Sequence, residues 1–207
     1  GGKNYYCYNG QTPLISAMLS VKYILADNGL EESPICEYLA SSGDSYLYKN
    51  KYSLPLGFIM DEDVIEEWQF LDMEQIEAQN RLAKLLGAKE DLLTQVSSVS
   101  VEGETTIHAT EDGYLYARYE ATGIDKLTLE TSGGRTRDYT HVSHKYTLDL
   151  GYNYAGSTLW IRSDNNENLR LTVYRLNEEA LREAYETLSE QTMELTAFSD
   201  TKIEGTI

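Results

Sequence analysis

The sequence predicts an α+β chain: a small N-terminal α/β unit and a helical segment, then an antiparallel β-sandwich, jelly-roll-like, and a C-terminal helix. Three observations predict it. Between Asp61 and about Val96, the residues Ile76, Leu82, Ala83 and Leu86 recur at helical spacing. From about Ser97 the apolar residues alternate instead, in short runs separated by turn residues, as in a sandwich. Asn177, followed by Glu178 and Glu179, then opens a last helix, because its side chain suits an N-cap and the carboxylates suit the positive end of the dipole. The organisation that follows is residues 1–60 for the α/β unit, 61–96 for the helical segment, 97–176 for the sandwich, and 177–207 for the last helix and a terminal strand.

Within the first unit, Pro13 to Ser20 reads as a helical turn carrying Leu14, Ile15, Met18 and Leu19. Val21–Ala26 reads as a strand that stops at Asp27-Asn28-Gly29, a strong turn signal. Pro34 to Tyr38 and Tyr46 to Lys49 are short extended pieces on either side of Ser41-Ser42-Gly43-Asp44. Another extended run follows Pro55, whose missing N–H confines it to an edge or a loop. In the helical segment, a short helix near Asp63–Trp68 would bury Val64, Ile65 and Trp68. Asp72 with Gln75 three residues on forms a capping-box pattern, and Gly87 stands where a C-terminal cap belongs.

The sandwich is punctuated by Glu111-Asp112-Gly113, Ser132-Gly133-Gly134 and Asp164-Asn165-Asn166. Between these turns Leu115, Ala117 and Tyr119 share one face, as do Leu127 and Leu129, and Leu148 and Leu150. Leu159 with Ile161, and Leu169 with Leu171 and Val173, do the same. Leu181, Tyr185 and Leu188 make the buried stripe of the last helix, and Leu195–Ile207 ends as an extended segment.

With 207 residues the chain is long enough to bury a core, and its net charge of -17 repels phosphate backbones and anionic head groups. Nucleic acid is therefore not an expected partner. The 17 Tyr against 3 Phe suit half-wet strand faces, where a ring packs and a hydroxyl reaches water. Cys7 and Cys36 are compatible with one disulfide in an exported domain but form no framework. No apolar window reaches the roughly 18 residues a membrane-crossing helix needs.

The search for chemistry yields little. His141 and His144 have an H-x-x-H spacing, yet in a loop-to-strand context they point to opposite faces and make no zinc pair. Asp164, Asn166 and Asn168 copy the start of a calcium loop, but Leu169 replaces the required glycine and Arg175 the closing glutamate. Asp61-Glu62-Asp63 reads as a helix opening. Nucleophile elbows, P-loops and dinucleotide fingerprints are absent, so no catalytic residue, metal ligand or cofactor is expected. One surface remains: Tyr139, Tyr152, Tyr154 and Trp160 around the predicted sandwich loops, with Arg135, Arg137 and His141 close in sequence. Aromatic rings beside polar donors are how such modules stack on and grip sugars. Trp160 points away from Leu159 and Ile161, which leaves it either exposed or in a second buried layer.

Three segments carry a resemblance. Val21-Lys22-Tyr23-Ile24 precedes Tyr48-x-Asn50-x-x-x-Leu54-Pro55-x-Gly57-Phe58, and a helix with Gln79-Asn80-x-Leu82-x-Lys84-x-Leu86-Gly87 follows. In this order, closed by Thr196–Ile207, the chain resembles the soluble part of YfhO-type bacterial membrane proteins. The resemblance implies a multi-pass glycosyltransferase of the GT-C type, using a polyprenyl-phosphate-linked sugar to decorate envelope polymers such as lipoteichoic acid. It places this chain on the extracytoplasmic side of the cell membrane, as an accessory domain between membrane helices. The implied partners are the rest of the parent protein and a cell-envelope glycopolymer or polyprenyl-linked sugar. No residue here matches that family's catalytic acid, so no catalytic role is carried over. The alternative is a non-catalytic carbohydrate-binding or surface-interaction module.

Overall fold

The computed structural model describes residues 12–26, 33–121, 123–142, 147–165, 168–190, 192–199 and 202–206. The chain divides into two compact units, one containing Gln95–Arg175 and the other Thr12–Thr94 with Leu176–Ile207.

The second of these units starts with helix α1 (Pro13–Met18). A three-stranded antiparallel sheet follows, in the order β1 (Tyr23–Ala26), β3 (Ser45–Asn50), β2 (Cys36–Ser42). Strand β2 turns into β3 directly at Gly43-Asp44, so the extended piece that begins near Pro34 runs on to Ser42. Cys36 is buried at the start of β2, and Cys7 lies outside the described residues. The run directly after Pro55 forms no strand. Only an isolated bridge joins Phe58 to Thr192, because the Pro55 carbonyl is taken by the Ser20 hydroxyl (2.9 Å) and proline has no N–H to offer a ladder.

Helix α2 (Glu62–Trp68), a 3-10 turn at Phe70–Asp72 and helix α3 (Gln75–Leu85) follow. The burial expected on α2 is not realised. Ile65 is 60% exposed and no residue of α2 is buried, because the helix is attached mainly through its last turn. There the Trp68 indole donates to the Ala78 carbonyl at 2.7 Å, and Arg81 Nε donates to that of Glu67 at 2.8 Å. The capping box does not form either: Asp72 is consumed by the 3-10 turn, and the α3 N-cap is Glu74 with no side-chain bond.

At its other end α3 behaves as its glycine predicts. Gly87 (φ +93°) donates to the Lys84 carbonyl and Ala88 to that of Ala83, a Schellman closure that needs the left-handed conformation. The stripe Ile76, Leu82, Ala83 and Leu86 is buried as expected. The chain then becomes strand at Leu93, ahead of the change of period read at Ser97. Helix α4 (Glu178–Ser189) starts on Asn177, whose side chain accepts from the N–H groups of Glu179 and Ala180. Leu181 and Leu188 are buried on it and Tyr185 is half-buried. The chain ends in a hairpin of β12 (Glu194–Ser199) and β13 (Lys202–Thr206).

The other unit is a sandwich of two four-stranded sheets. One has the order β4 (Leu93–Glu102), β11 (Asn168–Leu176), β6 (Gly113–Ala121), β9 (Thr147–Asn153). Its partner has the order β5 (Glu104–His108), β10 (Thr158–Ser163), β7 (Lys126–Thr131), β8 (Thr136–Thr140). The neighbour pairs β4–β11, β5–β10, β6–β9 and β7–β8 describe one long hairpin, with its tip at Ser132-Gly133-Gly134, rolled so that successive pairs fall in alternate sheets. That is the jelly roll, and rolling is what buries both apolar faces. Every inward face read from the alternation, from Leu115 to Val173, lies in one core with Ile107, Ile124, Tyr139 and Val142.

Candidate functional site

Strands β7 and β8 form the tip of the rolled hairpin, and three of the residues singled out as sugar contacts lie on β8 or immediately before it. All three turn out to build the sandwich. Tyr139 is 4% exposed, and its hydroxyl donates to the Asp149 carbonyl on β9 at 2.5 Å. Burial pushes that hydroxyl's pKa upward, so it stays a neutral donor. Arg137 donates to the same carbonyl at 3.3 Å, lies 3.6 Å from the Asp149 carboxylate and covers the Tyr139 ring. Just before β8, Arg135 reaches the Leu150 carbonyl (2.7 Å), the Tyr152 carbonyl (3.4 Å) and the Asn153 side chain (3.3 Å). β8 and β9 are edge strands of different sheets, and these three side chains close the seam between them.

The other four occupy different settings. Tyr152 and Tyr154 meet edge to face at the β9–β10 turn, ring centres 5.4 Å apart, with Tyr154 half exposed. His141, at a left-handed φ of +55°, stands 3.8 Å from Asp125, both largely exposed. His144 lies outside the described residues, as does Asn166 of the calcium-like loop, and among the described residues no His, Cys, Asp and Glu cluster is placed to hold a metal.

Trp160 is half-buried on β10, on the outer face of its sheet. The alternation that sends Leu159 and Ile161 into the core sends Thr158, Trp160 and Arg162 outward. Register places Thr106 of β5 on one side of Trp160 and Glu130 of β7 on the other, with Thr136 of β8 beyond Glu130. The next outward row reads Glu104, Arg162, Thr128, Asp138. Its charges are satisfied in place. Arg162 Nε donates to Glu104 at 2.6 Å and its Nη1 lies 3.5 Å from Glu130, contacts that raise the guanidinium pKa further. Lys126 pairs with Asp138 at 2.8 Å, and that bond together with one from Thr128 holds the Asp138 carboxyl below its ordinary value. Among the described residues, the Trp160 indole and the Thr106 and Thr136 hydroxyls have no side-chain hydrogen-bond partner. Sequence reasoning reached Trp160 but not Thr106 or Thr136, because β5 (ETTIH) and β8 (TRDYT) carry too few apolar residues to announce a strand.

Several residues of the three sequence segments that carried the family resemblance serve as framework. Tyr48, Asn50 and Leu54 are buried, and Asn50 donates to the Val21 carbonyl (2.9 Å) while accepting from the Tyr52 N–H (3.0 Å). The Gly57 carbonyl accepts from Met193. Gln79 is buried against the Thr12 hydroxyl. Asn80 acts as a substitute strand, accepting from the Leu93 N–H (2.8 Å) and donating to the Leu93 carbonyl (3.0 Å), which fixes where β4 starts. A family model described as bacterial membrane protein YfhO matches residues 1–107, from before α1 into β5. No protein with a curated description matches the chain. No helix among the described residues is long and apolar enough to cross a membrane. With its framework motifs inside a match over more than half of its 207 residues, the chain belongs to the YfhO family of bacterial membrane proteins.

Proposed function

We propose that this chain is an extracytoplasmic accessory domain of a multi-pass, polyprenyl-phosphate-sugar-dependent glycosyltransferase that decorates a cell-envelope polymer such as lipoteichoic acid. The observation that carries the reading is the YfhO match, whose motif residues here serve as framework and supply no nucleophile or acid. Catalysis then belongs to the membrane-embedded remainder of the parent protein, and this domain positions the acceptor or shapes the roof of the active site. The acidic surface, net charge -17, argues against gripping a polyanionic backbone and for contact with its neutral sugars or with the rest of the protein.

The test uses the full-length parent in membranes, with and without this domain. Transfer of sugar from a polyprenyl-phosphate donor to the polymer is expected to fall when the domain is removed, while the protein still inserts. Unchanged transfer, or turnover by the isolated chain alone, defeats the proposal. A second reading, a carbohydrate-binding module, is favoured by one observation: a half-buried tryptophan facing outward from a polar sheet.

A further inference from the structure

We propose that the outer face of the β5-β10-β7-β8 sheet is a binding platform for a neutral oligosaccharide, with the Trp160 ring as its stacking plane. This rests on the second reading above, goes beyond the transferase reading, and is testable on the isolated chain.

An aromatic ring on a sheet face usually packs beneath a helix or a second sheet, where it is buried. Trp160 faces outward and keeps part of its ring in water, between Thr106 and Glu130. Among the described residues its indole N–H has no hydrogen-bond partner, and neither do the hydroxyls of Thr106 beside it and Thr136 beyond Glu130. A pyranose ring offers the matching surface: C–H groups on one face to lie on the indole, and hydroxyls at its rim for the surrounding polar groups. Glu130 supplies carboxylate acceptors on one flank, and Arg162 supplies a guanidinium held between Glu104 and Glu130.

Charge decides which sugars. Among the described residues of this face, the arginine and lysine are Arg162 and Lys126, already paired with Glu104, Glu130 and Asp138, and the His108 ring is bonded to the Thr158 hydroxyl. A phosphate or uronate would find no uncommitted cation and would meet those carboxylates instead. A neutral ring meets no such penalty. The row Thr106, Trp160, Glu130, Thr136 crosses all four strands, so the platform suits several sugar units laid across the sheet.

The chain has two tryptophans, Trp68 and Trp160, so two indole N–H resonances in a 15N-labelled sample report the site and an internal control. The probes are tetrasaccharides of glucose and of N-acetylglucosamine, with glycerol-phosphate oligomers as the anionic arm. The expected result is a saturable shift of the Trp160 resonance with a neutral tetrasaccharide while Trp68 stays still. Trp160→Ala should weaken binding by about tenfold or more, with folding unchanged because the ring faces outward. Glu130→Gln, which leaves the indole in place, should weaken it less. The proposal is overturned if neither neutral sugar moves the Trp160 resonance, if both resonances move together, if the anionic oligomer binds more tightly, or if Trp160→Ala binds as well as wild type. A silent titration leaves the membrane transfer assay free to succeed, and intact sugar binding leaves it free to fail.

Discussion

Gly151 shows how a single missing side chain is enforced. It sits on β9 at φ +75°, and a Cβ there would lie 2.6 Å from Arg135 Nη1, the guanidinium that closes the β8–β9 seam. Gly151→Ala should therefore cost about 1–3 kcal/mol, from the strained backbone and the displaced arginine together. Urea unfolding measures it. The same substitution in an Arg135→Ala background should cost less, because the clash is gone and only the backbone term remains. Equal costs in the two backgrounds would mean that Arg135 does not constrain this position. The seam also explains why three of the seven candidate residues could not be judged from sequence. An arginine or tyrosine near a turn looks the same whether it faces a ligand or a backbone carbonyl, and only the rolled pairing shows that β9 carbonyls lie within reach of Arg135, Arg137 and Tyr139.

Among the elements, α4 is tied to the turn after α3 by Glu183, which accepts from the Lys89 backbone at 3.0 Å and from its ammonium at 2.5 Å. The side-chain bond from Lys89, then the backbone one, hold the Glu183 carboxyl below its ordinary value of 4.5. A depressed carboxylate stabilises the fold at any pH above its unfolded value and loses that contribution as pH falls through its folded value. The melting-temperature gap between wild type and Glu183→Gln should thus be steady near neutrality and close below about pH 4.5. A gap that widens in acid would contradict the pairing. Elements whose signal is local were legible in advance: the α4 cap at Asn177, the α3 stop at Gly87, and the five alternating strands whose leucines fill the core. Those set by partners were not. β4 begins where the Asn80 side chain grips Leu93, a contact between residues 13 apart that no periodicity reveals. The α3 capping box failed because a 3-10 turn of three residues, Phe70–Asp72, claimed Asp72 first.

At the scale of the molecule, a net charge of -17 on 207 residues makes the folded state repel itself. Screening relieves this, so the melting temperature should rise as sodium chloride shortens the Debye length from about 30 Å at 0.01 M to about 8 Å at 0.15 M. A flat response would mean that the ion pairs of the described surface, such as Arg162 with Glu104, lose as much as the excess charge gains. The rolled hairpin has a mechanical consequence. Its first and last strands, β4 and β11, are neighbours, and just outside them the Asn177 N–H donates to the Leu92 carbonyl at 2.8 Å. A pull that draws the two ends apart therefore loads this ladder one rung at a time, as a zip, and not along its length in shear. The jelly roll should yield to tension at low force and close again when released, giving way long before a sheet clamped at opposite ends.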